Sequence, residues 1–378
     1  MNANNWLATF LALSFTWTTL TAAAEDGVTN STILIGQTVG LTGTVAAPVK
    51  EMNEGANAYL AIVNKNGGVH GRKIELLTLD DKFDPALTVA NAETLIKKER
   101  VFALFGGRGT PHTKAIIPLL TENKVPLLAP STGSSVFHEP TIRWIFNIRA
   151  KYKTEVEKGV EHFATVGVKK IGILHVDDAF GQDGLEGFNK AMAAQKLTPT
   201  NITKFARVKP DVAATAATVI KANPSALVII SSSKNTIEVI KAIRAQGSQM
   251  QIMTLSNNSS RAFVEEMGPA GIGVIMSQVT VAPHLMSTKL GQEFLIAAKA
   301  SGTTISYPAI EGYVNAKVLI EGLQRAGRNL TREGFIRALE SMQHVDLGGI
   351  LITYGENDHS GSEFVELTMI GKDGRFIR

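Results

Sequence analysis

The stretch VFALFGGRGTPHTKAIIPLL, residues 101–120, decides the fold of this chain. Its first five residues are all apolar, and a short continuous apolar run is typical of a strand buried in a parallel sheet. The glycine-rich segment 106–109 predicts a tight turn, and Pro111 occupies a position at which helices begin. A buried strand, a glycine-rich turn and a helix in direct succession predict one unit of an α/β sheet covered by helices.

The same unit repeats on both sides of this stretch. A first series of strands is predicted over residues 33–37, 74–79, 101–105 and 126–129. After residue 149 a second series of strands, separated by helical segments, is predicted over residues 171–175, 226–230, 251–254 and 274–277. Two such series predict two doubly wound parallel sheets, each at the centre of one lobe.

The C-terminal third contains too few strands to form a sheet of its own. It predicts three amphipathic helices near 287–301, 308–326 and 331–342, followed by strands over 349–354 and 364–370. We therefore expect the helices to complete the first lobe and the last strand to return to the second. The predicted domains are a signal peptide at 1–24, a first lobe of 25–149 plus 280–355, and a second lobe of 150–279 plus 356–378. Three crossings between the lobes form a hinge that permits bending.

Composition excludes several classes of protein. The 378 residues are 44% hydrophobic and 19% charged, which is a globular composition. The net charge of +4 is spread without a basic run, so we expect no nucleic-acid partner. The absence of cysteine excludes disulfides, thiolate metal sites and thiol nucleophiles.

The N-terminal segment predicts export. Residues 6–20 are largely apolar, and no charged residue precedes Glu25. Small residues at Ala22 and Ala24 match a signal-peptidase site, so cleavage is expected after Ala24 and the mature protein is expected in the periplasm. The alternative interpretation is an N-terminal membrane anchor.

Polar residues follow the predicted strands of the first lobe, where ligands of open parallel sheets bind. Thr110 follows the turn at 106–109, and the free N–H groups of the next helix would favour a carboxylate beside its hydroxyl. Ser131, Thr132 and Gly133 follow the next strand and offer further backbone and hydroxyl hydrogen bonds. The alternatives are that Thr110 only caps its helix and that the 131–133 loop is only solvated.

The second lobe offers matching positions. Ser233 and Ser256 follow strands of the second series, and Phe180 follows another strand, where its ring could cover an apolar part of a ligand. Asp177 and Asp178 end that same strand, and each could cap the next helix or meet a cation; for Asp177 we favour the cap.

Catalytic and metal-binding patterns are absent from the sequence. The eight histidines are scattered without metal-ligand spacing, and neither a nucleophile elbow nor a phosphate-binding loop occurs. We therefore expect no enzymatic activity, no cofactor and no metal.

Several segments occur in an order that carries a family resemblance: IGQTVGLTG (35–43), GANAY (55–59), NKNGGVHG (64–71), DDKFDP (80–85), FGG (105–107), VPLLAPS (125–131), DDAFG (177–181) and EGY (311–313). Across residues 30–375 the chain resembles the type I periplasmic binding proteins of the leucine/isoleucine/valine-binding family. The resemblance implies two α/β lobes joined by a three-strand hinge, closing on a small ligand that is delivered to an ABC permease. We expect the protein to act as a monomer.

The resemblance also implies ligand-binding positions. It places the ligand carboxylate at Thr110, backbone and hydroxyl contacts at 131–133, and aromatic contacts at Phe180 and Tyr313. Two further second-lobe positions fall on Ser233 and Ser256.

One departure from the family concerns the ligand's α-amino group. The acidic residue that pairs this group in amino-acid binders falls near Ser256, and residues 254–260 contain no carboxylate. Because a buried ammonium without a paired charge is costly, two alternatives follow. Either Asp177, Asp178 or Glu311 supplies the charge, or the ligand is an aromatic or aliphatic acid or an amide.

Two other functions compete with solute transport. A ligand-sensing periplasmic module that signals to a membrane receptor kinase would present the same closed lobes. A periplasmic enzyme on this fold would need a general base in the cleft, for which Asp177, Asp178 and Glu311 are the candidates.

Overall fold

The computed structural model describes residues 25–378, so the predicted signal peptide at 1–24 lies outside the described residues. In chain order the strands are β1 (Thr32–Val39), β2 (Lys73–Asp80), β3 (Ala103–Phe105), β4 (Leu127–Leu128), β5 (Ile145–Phe146), β6 (Ile171–Val176), β7 (Ile202–Phe205), β8 (Ala226–Ile230), β9 (Gln251–Thr254), β10 (Ile275–Gln278), β11 (Val345–Asp346), β12 (Leu351–Ile352), β13 (Glu366–Ile370) and β14 (Phe376–Ile377). The α-helices are α1 (Ala46–Lys65), α2 (Pro85–Glu93), α3 (Thr110–Asn123), α4 (Tyr152–Thr165), α5 (Ala179–Ala194), α6 (Val212–Ala222), α7 (Ser233–Ala245), α8 (Arg261–Met267), α9 (Lys289–Ser301), α10 (Tyr307–Ala326) and α11 (Arg332–Glu340).

The first lobe is built on a parallel sheet of five strands in the order β2-β1-β3-β4-β5. β1 lies between β2 and β3, and Ile35 pairs with Leu76 on one side and Ala103 on the other. The strand β5 was not predicted because its apolar run covers only residues 144–146, whereas the equally short β4 lies in the longer apolar run 125–129. The parallel order confirms the predicted doubly wound architecture for this lobe.

The second lobe is built on a sheet of seven strands in the order β14-β13-β10-β9-β8-β6-β7. Five of these strands are parallel, namely the four predicted ones and β7, but β13 runs antiparallel to β10 and β14 runs antiparallel to β13. The sheet is therefore mixed, with an antiparallel edge formed by the returning C-terminus. The edge strand β7 was missed because only Phe205 of its four residues is buried.

The C-terminal helices share one apolar core with the first sheet, as expected from their amphipathic pattern. Ile35 and Phe105 belong to the same buried cluster as Phe294, Leu319 and Phe335. The strand predicted over 349–354 is shorter than expected, because β12 pairs only with β11 and joins neither large sheet. The exact boundaries between the two predicted domains stay a prediction.

Helices α1 and α10 approach each other closely at two glycines. A Cβ atom at Gly55 would lie 1.7 Å from the Ala309 carbonyl oxygen, and one at Gly312 would lie 1.9 Å from the Met52 carbonyl oxygen. Only glycine permits this distance between the backbones. The crossing holds α10 in place, and α10 carries Glu311 toward the interface between the lobes.

Within residues 25–378, every helix is too short or too polar to cross a lipid bilayer.

Candidate functional site

The carboxyl ends of strands from both sheets meet at one small cavity between the lobes. Its volume is about 30 Å³. The cavity is lined by Val45, Phe83, Arg108, Gly109, Thr110, Ser131, Tyr152, Phe180, Arg207, Ser232, Ser233 and Asn257. Four predicted ligand-binding residues therefore lie together at the wall of this cavity: Thr110, Ser131, Phe180 and Ser233.

Thr110 is the first residue of α3, and its hydroxyl does not cap the helix. The capping position belongs to Gly109, whose φ of +101° favours glycine and which has no side chain to satisfy the first-turn N–H groups. The buried Thr110 Oγ lies 2.8 Å from Oγ of Thr132 instead. The helix N-terminus and this hydroxyl thus face a cavity that no Asp or Glu side chain lines. This arrangement leaves the N-terminus free to bind an anionic ligand.

Ser131, Thr132 and Gly133 have three different roles in the adjoining loop. Ser131 lines the cavity and accepts a hydrogen bond from Arg108 Nη1 at 3.2 Å. Thr132 does not line the cavity, and its hydroxyl forms a hydrogen bond with that of Thr110. A Cβ atom at Gly133 would lie 2.5 Å from the Ala150 carbonyl oxygen, so this glycine permits a close backbone contact with the segment that leads into α4.

The second lobe supplies the opposite wall. Ser233 begins α7, and its Oγ donates to Asn258 Oδ1 at 3.0 Å. The Phe180 ring packs against the Tyr152 ring with a centroid distance of 4.7 Å. This pair contributes apolar surface to the cavity wall, and the contact of Phe180 with a ligand stays a prediction.

The two adjacent aspartates differ in role from the prediction. Asp178, not the favoured Asp177, caps α5: its Oδ1 accepts from the Phe180 and Gly181 N–H groups at 2.9 and 3.3 Å. The reason is position, because α5 begins directly after Asp178. Asp178 also forms an ion pair with Arg207, whereas Asp177 lies exposed beside Lys204 Nζ at 2.9 Å.

Glu311 belongs to a buried network centred on Arg149. Arg149 Nη1 lies 3.5 Å from Glu311 Oε1, and Nη2 lies 3.1 Å from Glu155 Oε1. Burial raises the pKa of Glu311, while Arg149 opposes that shift. Arg149 therefore joins α10 of the first lobe to α4 of the second, and Glu311 already has a cation of the protein as partner.

Ser256 belongs to the same network and does not line the cavity. Its backbone N–H donates to Glu155 Oε2 at 2.9 Å, and Arg149 Nη2 donates to its hydroxyl. Ser277 Oγ donates to the same Glu155 oxygen at 2.6 Å. The predicted Ser256 thus helps to satisfy the buried Glu155 carboxylate.

Tyr313 lies in the core of the first lobe, away from the cavity wall. Its ring packs edge-on against Tyr59 and Phe294, with centroid distances of 5.0 and 5.6 Å. Tyr313 and Glu311 are two positions apart on α10, and residues at this spacing face different sides of a helix. The structure therefore does not bring the two together at the site.

Arg108 lines the cavity and was not among the predicted site residues. Its side chain is 7% exposed; Nη2 donates to the Asn257 carbonyl oxygen at 2.8 Å across the lobe interface. Burial lowers the pKa of Arg108. Tyr152 and Arg207 were also missed. A cation inside a glycine-rich turn at a strand end was the available signal for Arg108.

Two further polar contacts hold the lobes together. Glu51 on α1 accepts hydrogen bonds from the Arg261 and Ala262 N–H groups at 3.1 and 3.2 Å, at the start of α8. Ser135 N–H donates to Asp183 Oδ1 at 2.8 Å. Between residues 25 and 378, no cluster of His, Asp and Glu side chains is arranged to hold a metal ion.

Comparisons with known proteins agree with this architecture. The sequence model of the family described as periplasmic binding protein matches residues 32–375. The Leu/Ile/Val-binding protein homolog 3 of Brucella melitensis biotype 1 is 20% identical over 328 residues, which cover 86% of this chain and 87% of the relative.

Solved structures give the same result. A substrate-binding periplasmic protein from Ralstonia solanacearum superposes with a TM-score of 0.86 at 29% identity, covering 91% of this chain and 99% of that one. A fatty acid ABC transporter substrate-binding protein from Thermomonospora curvata has a TM-score of 0.84 at 21% identity, covering 94% and 92%, which shows a shared fold. These matches confirm the resemblance found in the sequence, and the chain belongs to the periplasmic binding protein family.

Proposed function

We propose that this protein is the solute-binding component of an ABC importer and that it binds a small carboxylate-bearing ligand in the cavity between its lobes. The observation that carries the proposal is the cavity wall itself. Thr110 Oγ, the uncapped N-terminus of α3 and the Arg108 guanidinium all face one space at the strand ends. Such a combination of donors favours a carboxylate.

Family membership supports the transport role but leaves the ligand open. Proteins of this family bind small solutes and work with ABC transporters, and their relatives named above are solute-binding proteins rather than enzymes. One relative is named for leucine, isoleucine and valine, and another for a fatty acid. Both kinds of ligand carry a carboxylate, whereas only the first kind also carries an ammonium group.

The family implies a periplasmic location. We further propose that residues 1–24 are a signal peptide cleaved after Ala24, that the partner is an inner-membrane permease, and that the protein acts as a monomer. No part of this function requires a catalytic group or a cofactor.

Removal of the Thr110 hydroxyl tests the proposed site. A thermal-shift panel of amino acids and small organic acids identifies a ligand, and calorimetry then measures its Kd for wild type and Thr110→Val. We expect Thr110→Val to weaken binding by about 1–2 kcal/mol, the usual value of a buried hydrogen bond, or about 5- to 30-fold in Kd.

Thr218→Val is the matched control, because the Thr218 hydroxyl is exposed on α6 and donates only to the Ala214 carbonyl oxygen, at 2.8 Å. We expect its Kd to equal that of wild type. A Thr110→Val variant that binds as tightly as wild type would falsify the assignment of the site.

A further inference from the structure

The wall of the cavity contains no carboxylate. Among its lining residues the charged ones are Arg108 and Arg207. Arg207 is neutralised by the ion pair with Asp178, and its guanidinium lies 5.5 Å from the centroid of the Phe83 ring. The remaining lining residues are apolar, aromatic, hydroxyl-bearing or amide-bearing. An ammonium group in this space would have no anion to pair with.

Arg108 differs from Arg207 because it is buried without an ion-pair partner. Within residues 25–378, its guanidinium forms no ion pair within 4.0 Å and donates to neutral oxygens of Ser131 and Asn257. The negative charge of Glu311 acts on Arg108 from a greater distance, but Glu311 already lies 3.5 Å from Arg149. Its other N–H groups have no acceptor in the same part of the chain. Burying a charge without a counter-ion is costly, so a carboxylate ligand would stabilise this arrangement.

The acidic residues that could accept an ammonium are already engaged. Asp178 pairs with Arg207 and Asp177 with Lys204. Glu311 lies 3.5 Å from Arg149, which is its cationic partner. None of these three carboxylates lines the cavity.

We propose, on the basis of the proposed function, that the cavity selects small organic acids without an α-ammonium group and that Arg108 is the counter-ion of the ligand carboxylate. The Phe83, Tyr152 and Phe180 rings form the other walls, together with Val45. Such walls offer apolar contacts to a hydrocarbon or aromatic body, and the lobes must separate to admit it, because the present cavity of about 30 Å³ holds no more than about one water. The ligand class is therefore a small monocarboxylic acid with a hydrocarbon or aromatic body.

Two matched pairs of ligands test the selection on the mature protein. 4-Methylpentanoate differs from leucine, and 3-phenylpropanoate from phenylalanine, only by the α-ammonium group. If either pair binds, we expect calorimetry to show that its ammonium-free acid binds at least about 30-fold more tightly than its amino acid. The reason is that the ammonium group of the amino acid would lose its water without gaining an anionic partner.

The possible outcomes separate this inference from the proposed function. Leucine or phenylalanine binding as tightly as its ammonium-free acid overturns the inference and leaves the proposed function intact. The same conclusion follows if none of the four compounds binds while an amino acid of the thermal-shift panel does, whereas binding of another ammonium-free acid of the panel supports the inference. A protein that binds no member of that panel contradicts both.

Variants of Arg108 test its role through the ratio of the affinities for an acid and its neutral amide. Replacement of a purely structural residue would leave this ratio unchanged. The wild type should bind 3-phenylpropanoate at least about 30-fold more tightly than the neutral 3-phenylpropanamide, and Arg108→Gln should abolish this preference. Arg108→Lys keeps the charge and should retain part of the preference. An acid-to-amide ratio in Arg108→Gln equal to that of wild type overturns the assignment.

The control is Arg375→Gln, because the side chain of Arg375 is 83% exposed and lies outside the cavity. Its acid-to-amide ratio should equal that of wild type. Arg108→Lys also provides the measurement if Arg108→Gln does not fold: a lysine variant with the full wild-type affinity and preference shows that the guanidinium does not bind the carboxylate.

Discussion

Asp178 and Asp177 are adjacent residues with the same side chain, and the structure predicts very different effects on stability when each is replaced. Asp178 caps α5 through two backbone N–H groups and forms an ion pair with Arg207. Its side chain is 19% exposed, whereas that of Asp177 is 56% exposed. The Asp177 carboxylate pairs with Lys204, whose side chain is also exposed.

The expected magnitudes follow from these contacts. Loss of the cap costs about 1 kcal/mol, and loss of the partly buried ion pair costs about 1 kcal/mol more, so Asp178→Ala should lower the free energy of unfolding by about 2 kcal/mol. Asp178→Asn should cost about 1 kcal/mol, because asparagine caps helices as well as aspartate does. Asp177→Ala should cost less than about 0.5 kcal/mol.

Urea unfolding followed by circular dichroism measures these differences, with the slope m compared between variants. Thermal melting provides a second measure, in which Asp178→Ala should melt about 3 °C below wild type. The order expected is Asp178→Ala, then Asp178→Asn, then Asp177→Ala. Equal losses from the two alanine variants would refute the reasoning, as would an asparagine variant as unstable as Asp178→Ala.

Three further predictions concern packing, pH and the contact between the lobes. Gly312→Ala should lower the unfolding free energy by more than about 2 kcal/mol in urea, because its Cβ would lie 1.9 Å from the Met52 carbonyl oxygen; wild-type stability contradicts this. Burial lowers the pKa of His138 to about 4, so only the unfolded chain gains this proton as pH falls from 7 to 5. Stability should fall by about 2 kcal/mol over that interval through this residue, and His138→Gln should show a correspondingly smaller fall. Glu51→Gln removes the charge from a contact that joins the lobes, so small-angle scattering should show a larger radius of gyration; an unchanged radius means that the contact does not hold the lobes.

The order of strands and helices could be read from the sequence because each unit carries local signals. Continuous apolar runs predict buried strands such as β6 and β8, and Pro and Gly predict where helices begin and end. The strand β5 escaped prediction because its apolar run covers only residues 144–146, and the edge strand β7 escaped it because one buried residue produces no periodic pattern.

The parts of the candidate site that were predicted are those that follow directly from strand ends. Thr110, Ser131, Phe180 and Ser233 come after buried parallel strands, and such positions meet at one edge of a sheet. The family resemblance placed Tyr313 at the ligand site, but its side of α10 packs into the core of the first lobe. Helix rotation relative to a neighbour is set by packing, which a single sequence does not display.

The sequence alone thus established a two-lobed α/β chain with polar strand ends, since hydrophobic periodicity and turn residues act over a few positions. Charge pairing was decided by the folded chain. Arg108 donates a hydrogen bond to Asn257, which lies 149 positions later in the sequence. Arg149 pairs with Glu311, which is also distant in sequence. The pairing of carboxylates with cations depends on atoms that the two lobes bring together. This pairing determines that the charged residues lining the cavity are arginines.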